Sequence, residues 1–164
     1  MAFKDKNILI TGMSGFVGSL MARVLADRGA NVYGLIRRRA DGKEPHNMKR
    51  LGLGEDVRRI EGELESISSI GSAICACEPD FIFHLAAQSF VERSFKDPHE
   101  TMLNNCLGTS NLLEAIRIKD VDPVVVFAGS SEEYGLVISS EEQYRRVMDK
   151  YGTIFPLPEK IPEV

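Results

Sequence analysis

The sequence predicts an α/β fold, a doubly wound parallel sheet of about five strands with helices on both faces. Short apolar runs alternate along the chain with stretches of helical periodicity, which is typical of strand–helix–strand crossover units. The apolar runs do not alternate with polar residues, as expected for strands buried on both faces. A glycine-rich segment also joins the first run to the first periodic stretch. These three observations together favour a parallel sheet.

The strands are predicted from five apolar runs bounded by turn residues. They are Asn7–Thr11, Asn31–Ile36, Val57–Ile60, Phe81–Leu85 and Pro123–Phe127. Helical spacing predicts a first helix from Phe16 that stops at Gly29, and another that begins at Ile67 and ends before Pro79. A short helix is expected near Met48–Leu51.

A long helix is predicted to begin at Pro98, after the fourth strand. Its expected apolar face consists of Met102, Leu103, Cys106, Leu112, Leu113 and Ile116. Residues 1–135 are therefore assigned to one α/β domain, and residues 136–164 to an extension. The extension contains a predicted surface helix over 139–150 and an end with three of the seven prolines.

Composition excludes several classes of protein. With 43% hydrophobic and 27% charged residues, the chain has the composition of an ordinary globular domain. No apolar run is long enough for a transmembrane helix, and the N-terminus does not resemble a signal peptide. Three cysteines suit neither a disulfide framework nor a common metal site, and no metal is expected. We therefore expect a cytoplasmic protein without a membrane partner.

Charge is distributed unevenly. Residues 1–59 contain 12 Lys and Arg against 6 Asp and Glu, whereas residues 60–164 contain 8 against 18. The basic part lacks the interleaved aromatic residues typical of nucleic-acid binding. Three of its arginines are consecutive, at 37–39. A local anion site is the better interpretation, and no nucleic-acid partner is expected.

The segment Thr11-Gly-Met-Ser-Gly-Phe-Val-Gly18 is the strongest functional signal. Gly12 permits a tight turn, Gly15 lets the backbone approach a pyrophosphate, and Gly18 allows the helix to pack closely on the strand. The following helix start offers unpaired N–H groups to phosphates. An ordinary tight turn is the alternative, but the strand–turn–helix context favours a dinucleotide site.

The residues after the second strand bear on the choice of cofactor. An acidic side chain there favours NAD because it binds the ribose 2′-hydroxyl, whereas this chain has Arg37 and Arg38. Guanidinium groups hold a 2′-phosphate through charge-assisted hydrogen bonds. NADP is therefore the predicted cofactor, with NAD as the alternative. A solvated basic turn is the non-functional interpretation.

Four motifs in order carry a family resemblance. They are the glycine segment, His84-Leu-Ala-Ala-Gln-Ser89, Asn105-Cys-Leu-Gly-Thr109 and Gly129-Ser-Ser-Glu-Glu-Tyr-Gly135. The set resembles the extended short-chain dehydrogenase/reductase family, in its nucleotide-sugar epimerase/dehydratase branch. The GDP-mannose 4,6-dehydratases and the related keto-sugar reductases are the most similar groups. The resemblance implies a Rossmann-type sheet with strand order 3-2-1-4-5.

The resemblance also implies roles for individual residues. The residues implied to contact the dinucleotide are Gly12, Ser14, Gly15, Phe16, Val17, Gly18, Arg37, Arg38, Glu63, Leu64, Leu85, Ala86 and Ala87. Gln88 and Ser89 would border the nucleotide-sugar substrate. Glu63 departs from the aspartate usual in the family. His84 is interpreted as a hydrogen-bonded core residue, and Asn105 as a structural one.

Two residues beyond the fifth strand are implied to be catalytic. Ser130 falls where the family keeps a hydroxyl that binds the reacting sugar oxygen, and Glu132 where dehydratases keep the acid/base. The implied activity is an NADP-dependent 4,6-dehydratase of the GDP-mannose type. Oxidation at C4 precedes loss of water across C5–C6, and reduction follows. A 4-epimerase or a 4-keto-6-deoxy-sugar reductase is the alternative.

The family's Tyr-x-x-x-Lys pair does not occur in this sequence. Tyr134, Tyr144 and Tyr151 are followed four residues later by Ile138, Met148 and Phe155. The resemblance therefore implies an N-terminal portion of a longer protein, whose exposed apolar surface would favour a homo-oligomer. A non-catalytic dinucleotide-binding module is the alternative from another functional class.

Overall fold

Five parallel strands form a single sheet in the order β3-β2-β1-β4-β5 in the computed structural model. The model describes residues 2–38, 40, 42–130 and 140–152. The strands are β1 (Asn7–Thr11), β2 (Asn31–Ile36), β3 (Val57–Glu61), β4 (Phe81–His84) and β5 (Val124–Phe127). The predicted fold class, strand order and five strand positions are confirmed, with ends that differ by one residue at most.

Helices lie between successive strands along the chain, and one more helix follows β5. They are α1 (Phe16–Asp27), α2 (His46–Arg50), α3 (Ile67–Cys77), α4 (Val91–Lys96), α5 (Pro98–Met102), α6 (Gly108–Lys119) and α7 (Glu141–Tyr151). A π-helical turn, Leu103–Leu107, joins α5 to α6. Helix α4 was not predicted, because its six residues provide too few turns for a clear apolar periodicity.

Both faces of the central strand β1 are covered. Leu9 packs in a cluster with residues of α3 and α6, whereas Ile8 and Ile10 pack in a second cluster with residues of α1 and α2. Since successive side chains of a strand point to opposite faces, one apolar run supplies both clusters. This arrangement explains why β1 shows no polar alternation. The edge strands β3 and β5 differ from the prediction of burial on both faces, because most of their residues are exposed.

The long helix differs from its prediction in the face that it buries. Leu112 is buried as expected, but Met102 and Leu113 are 59% and 53% exposed and Cys106 is also exposed. The expected face assumed 3.6 residues per turn throughout. The π turn adds a residue to one turn and therefore rotates the residues on its two sides relative to each other.

Two compact units are distinguished, residues 1–128 and 129–164. In the second, α7 begins after Ser140, whose hydroxyl accepts a hydrogen bond from the Gln143 amide at 3.2 Å. Glu142 pairs with Arg146 one turn later on the helix surface. The predicted surface helix is therefore confirmed.

The described residues contain no helix that is both long and apolar enough to cross a membrane. Within the same part of the chain, no group of three or more potential metal ligands is found.

Candidate dinucleotide site

A cavity of about 440 Å³ lies at the edge where β1, β2 and β4 end. In a parallel sheet, the carboxyl ends of neighbouring strands share one edge, where ligands bind in open α/β folds. The cavity is lined by Thr11, Gly12, Ser14, Gly15, Phe16, Val17, Gly18, Leu35, Ile36, Arg37, Gly62, Leu64, Leu85, Ala86, Ala87, Ser89 and Asn104. Residues scattered over the sequence are thus brought together at this edge.

The glycine turn after β1 is shaped by close backbone contacts. Gly12 has φ of +75°, and a Cβ atom there would lie 2.8 Å from the Ala86 nitrogen. The Gly15 amide donates to the Gly12 carbonyl at 3.0 Å, which closes the turn. A Cβ on Gly18 would collide with the Gly12 carbonyl. Gly12 is therefore required by backbone conformation and space, and Gly18 by space alone, whereas a Cβ on Gly15 would meet only the Gly12 carbonyl at 3.2 Å.

Helix α1 starts at this turn with its first N–H groups available. Gly15 is the N-cap residue and has no side chain that could accept from them, and the first turn contains no acidic residue. The positive end of the helix dipole faces the same region. This combination suits an anionic group such as a pyrophosphate.

The two arginines after β2 differ in their positions. Arg37 lines the cavity beside Leu35, Ile36 and Gly62, and no ion pair is found for it within the described residues. Arg38 lies 4.0 Å from Glu61, and both of these side chains are more than half exposed. Arg37 is thus the cationic side chain available to the cavity.

The segment after β4 is held by a side chain of the π turn. The Asn105 amide oxygen accepts from the Gln88 backbone N–H at 2.7 Å, and its amide nitrogen donates to the Gln88 carbonyl at 2.9 Å. Both hydrogen-bonding groups of one residue's backbone are therefore satisfied by a single asparagine. The structural role predicted for Asn105 is confirmed.

A second cavity, of about 320 Å³, adjoins the first. It is lined by Arg37, Ala87, Gln88, Ser89, Phe90, Arg93, Glu100 and Asn104. Arg93 binds both carboxylate oxygens of Glu100, at 2.6 and 2.9 Å. Arg37, Ala87, Ser89 and Asn104 line both cavities, so the two spaces adjoin each other beside the segment after β4.

Most predicted site residues lie at the larger cavity, and a few do not. Gln88 lines only the second cavity, whereas Arg38 and Glu63 are not among the described lining residues of either. Glu63 instead donates its backbone N–H to the Ser69 hydroxyl at 3.0 Å. Ser130 belongs to the second compact unit and is exposed. Glu132 lies outside the described residues.

Five lining residues were not predicted, namely Thr11, Leu35, Ile36, Gly62 and Asn104. Four of them adjoin a strand end, and a rule that included every residue at the carboxyl ends of the strands would have found them. Asn104 has no such signal. It reaches the cavities because the helix that carries it crosses the edge of the sheet through the π turn.

The cavity meets the requirements of a dinucleotide. Its glycine turn leaves the backbone bare, its helix start offers N–H groups, and apolar side chains of Leu35 and Leu64 lie beside Arg37. The glycine turn and the helix start suit a pyrophosphate, the apolar side chains suit an adenine, and Arg37 suits an anionic substituent on the ribose.

Comparison with known proteins agrees with this geometry. The family model described as GDP-mannose 4,6 dehydratase matches residues 9–147. A GDP-mannose 4,6-dehydratase of Vibrio cholerae is 37% identical over 145 residues, which cover 80% of this chain and 37% of the relative. The chain thus spans well under half the length of this relative.

Solved structures show the same fold. An epimerase from Methanothermobacter thermautotrophicus superimposes with a TM-score of 0.70 at 28% identity, covering 85% of this chain and 40% of its own. MoeE5, solved in complex with UDP-glucose and NAD, has a TM-score of 0.61 at 32% identity, over 79% of this chain and 38% of its own. From the match over residues 9–147 and the identity to named enzymes, we conclude that the chain belongs to the GDP-mannose 4,6-dehydratase family.

Proposed function

We propose that this chain forms the NADP-binding part of a nucleotide-sugar 4,6-dehydratase of the GDP-mannose type. The observation that carries the proposal is the cavity in which the glycine turn, the start of α1 and Arg37 face one space. The pyrophosphate binds the helix start and the 2′-phosphate binds Arg37. Leu64 contacts the adenine, while Leu85, Ala86 and Ala87 extend along the nicotinamide ribose.

The proposed reaction removes water from the hexose. NADP, when bound, supplies a hydride acceptor and afterwards returns the hydride. Ser130 donates a hydrogen bond to the reacting oxygen at C4. Glu132 removes the C5 proton and assists the departure of the C6 hydroxyl as water. Gln88 and Ser89 border the nucleotide sugar. These roles rest on the sequence motifs, and the second cavity beside Ser89 supports the location of the sugar.

Replacement of Arg37 tests the cofactor. We expect Arg37→Ala to weaken NADP binding by about tenfold or more, because a charge-assisted hydrogen bond contributes about 1.5–3 kcal/mol. NAD binding changes much less, since NAD has no 2′-phosphate. Calorimetric titration of both dinucleotides measures the difference.

Two variants serve as controls for this titration. Arg28→Ala removes an exposed cation that does not line the cavity, and it should leave both dissociation constants unchanged. Arg38→Ala reports whether the neighbouring arginine contributes. Equal losses of NADP and NAD affinity in Arg37→Ala would contradict the assignment of the 2′-phosphate.

A non-catalytic dinucleotide-binding module is the second candidate. It would need the dinucleotide cavity alone, without residues for proton transfer. Incubation with NADP and GDP-mannose distinguishes the classes, because only a dehydratase forms a 4-keto product. An epimerase would return a 4-epimer, and a reductase would need a 4-keto substrate. A chain that binds NADP and yields no product, even when supplemented with a segment containing the Tyr-x-x-x-Lys pair, would support the module.

We also propose that the chain forms a homo-oligomer. The apolar strand β5 supports this proposal, because Val124, Val126 and Phe127 are 55%, 43% and 56% exposed. Within the described residues, β5 pairs only with β4, so its other edge presents free backbone groups. Sedimentation at micromolar concentration should detect a dimer or larger species, and a monodisperse monomer would overturn the proposal.

A further inference from the structure

We propose that His84 is a positioning residue of the dinucleotide site, held as the neutral tautomer that carries its proton on Nε2. It connects Thr11 at the end of β1 to Thr109 in the first turn of α6, and Thr109 in turn binds the carbonyl of Asn105 in the π turn. The series thereby fixes the backbone after β4. The expected effect on NADP binding rests on the proposed dinucleotide function, whereas the tautomer and the hydrogen-bond series do not.

The direction of the hydrogen bonds around His84 determines the tautomer. The Thr109 hydroxyl donates its single proton to the Asn105 carbonyl at 2.7 Å, since a carbonyl oxygen only accepts. Thr109 must therefore accept from His84, whose Nε2 lies 3.1 Å away. Nε2 then carries the proton, and in a neutral imidazole Nδ1 is the acceptor.

The chain of hydrogen bonds continues on the other side of the ring. Nδ1 of His84 lies 2.7 Å from the Thr11 hydroxyl, which must donate to it. The Thr11 oxygen in turn accepts from the Ala86 backbone N–H at 3.2 Å. Every donor in the series points the same way, from Ala86 through Thr11, His84 and Thr109 to Asn105. Such directional networks strengthen each member and fix one geometry.

The surroundings of the ring favour the neutral form. His84 is 2% exposed and its ring stacks on Phe127, with centroids 5.6 Å apart. Burial lowers the pKa of His84, and no carboxylate is among its described partners. A cationic ring would add a second N–H pointing at Thr11, so the Thr11 proton would lose its acceptor.

The series links three segments that line the cavity. Thr11 immediately precedes Gly12, whose Cα lies against the Ala86 backbone. Asn105, at the other end, binds both backbone groups of Gln88. His84 therefore positions the glycine turn and the 86–88 segment relative to each other, and fixes the π turn that carries Asn104.

Nitrogen NMR of the free chain tests the tautomer without any ligand. The sequence contains three histidines, and the exposed His46 and His99 provide reference signals. We expect His84 to show one protonated Nε2 and one unprotonated Nδ1. Signals averaged between the two tautomers, or a proton on Nδ1, would overturn the inference.

Two substitutions at Thr109 test the coupling. Thr109→Val removes the acceptor of Nε2–H at similar volume, whereas Thr109→Ser retains the hydroxyl. We expect the Val variant to shift the amide signals of Gly12, Ala86 and Gln88. We also expect it to weaken NADP binding by about tenfold, because the glycine turn and the 86–88 segment are no longer held in one geometry. The Ser variant should retain wild-type signals and affinity within about twofold. Unchanged amide signals in the Val variant would overturn the coupling.

Failure of this inference and failure of the proposed function are distinguishable. If the wild-type chain binds neither NADP nor NAD, the proposed function is wrong, while the tautomer and the amide shifts still decide the role of His84. If the chain binds NADP and His84 is not the Nε2–H tautomer, only the present inference is wrong.

Discussion

Two neighbouring segments form two walls of the same cavity and are held in different ways. The turn 12–15 after β1 is fixed by backbone conformation, with Gly12 at positive φ and the Gly15 amide bonded to the Gly12 carbonyl. The segment 85–88 after β4 is fixed by side chains from elsewhere, chiefly Thr11 and Asn105. The wall formed by the turn 12–15 therefore depends on glycines that have no side chain. The wall formed by the segment 85–88 depends on the side chains of Thr11 and Asn105.

This difference determines how each wall can be broken. At the turn, any added atom should displace the backbone, because Gly12 lies against Ala86. At the β4 segment, the identity of residues 85–88 matters less than the presence of distant hydrogen-bond partners. Three substitutions or conditions, ordered by the size of the expected effect, test the distinction.

Gly12→Ala should have the largest effect. A left-handed backbone costs a residue with a Cβ about 1–2 kcal/mol, and the collision with the Ala86 backbone adds to this. We expect the free energy of unfolding to fall by more than about 2 kcal/mol and NADP binding to be lost. Urea unfolding and calorimetric titration measure the two effects.

Gly54→Ala is the matched control for this substitution. Gly54 has no heavy atom of another residue within 4 Å of an added Cβ and does not adopt positive φ. The control should unfold and bind like the wild type. NADP binding by Gly12→Ala at wild-type affinity would contradict the structure of the turn.

Asn105→Ala should have an intermediate effect. It leaves the Gln88 N–H and carbonyl without their partner, and because the site is only partly buried, water replaces some of the loss. We expect a decrease of about 1–2 kcal/mol in unfolding free energy and a several-fold weaker NADP affinity. Asn105→Asp keeps the acceptor for the Gln88 N–H and should lose less.

The exposed Asn31, which bonds to Asn7 at 3.0 Å, provides the comparison for this prediction. Asn31→Ala should change neither stability nor binding measurably, because water replaces an exposed hydrogen bond. If Asn105→Ala behaved like Asn31→Ala, the side-chain support of the second wall would be refuted.

The smallest effect concerns pH. Burial lowers the pKa of His84 below its ordinary value of 6.5, and Thr11, Thr109 and Phe127 around it carry no charge. Below about pH 6.5 the unfolded chain therefore binds a proton that the folded chain does not. The contribution of His84 to stability is complete above this pH and decreases as the pH falls towards the lowered pKa of the folded state.

For one proton, the free energy of unfolding changes by at most about 1.4 kcal/mol per pH unit. Urea unfolding between about pH 7.5 and about pH 5.5 measures it. The exposed His99 offers the matched variant His99→Gln, which should retain the slope. Stability that rises as the pH falls through this range would contradict a neutral buried ring.

The fold was predictable because its signals are local. Apolar runs and glycines located all five strands within one residue at each end, and α1 and α3 began at the predicted residues. Helix α4 and the π turn were not predictable in this way. A six-residue helix has little periodicity, and a π turn depends on packing at Leu103–Leu107 rather than on a residue preference.

The candidate site was predictable in part. The glycine turn and Arg37 were found, because a bare turn and a cation after β2 are visible in the sequence and both line the cavity. Arg38 and Glu63, which were also predicted to contact the dinucleotide, are not among its described lining residues. Sequence neighbours on an extended chain point to opposite sides, and the sequence does not show which side faces the cavity.

The sequence by itself determined the order of strands and helices, the glycine turn and the expectation of a dinucleotide. Spacing and residue type encode these features directly, because backbone conformation and burial act on a few consecutive residues. Only the tertiary structure decided that Thr11, His84 and Thr109 form one directional series, and that Asn105 binds the Gln88 backbone. These contacts join residues up to 73 positions apart, and they exist because β4 lies beside β1 in the sheet and α6 packs on one face of it.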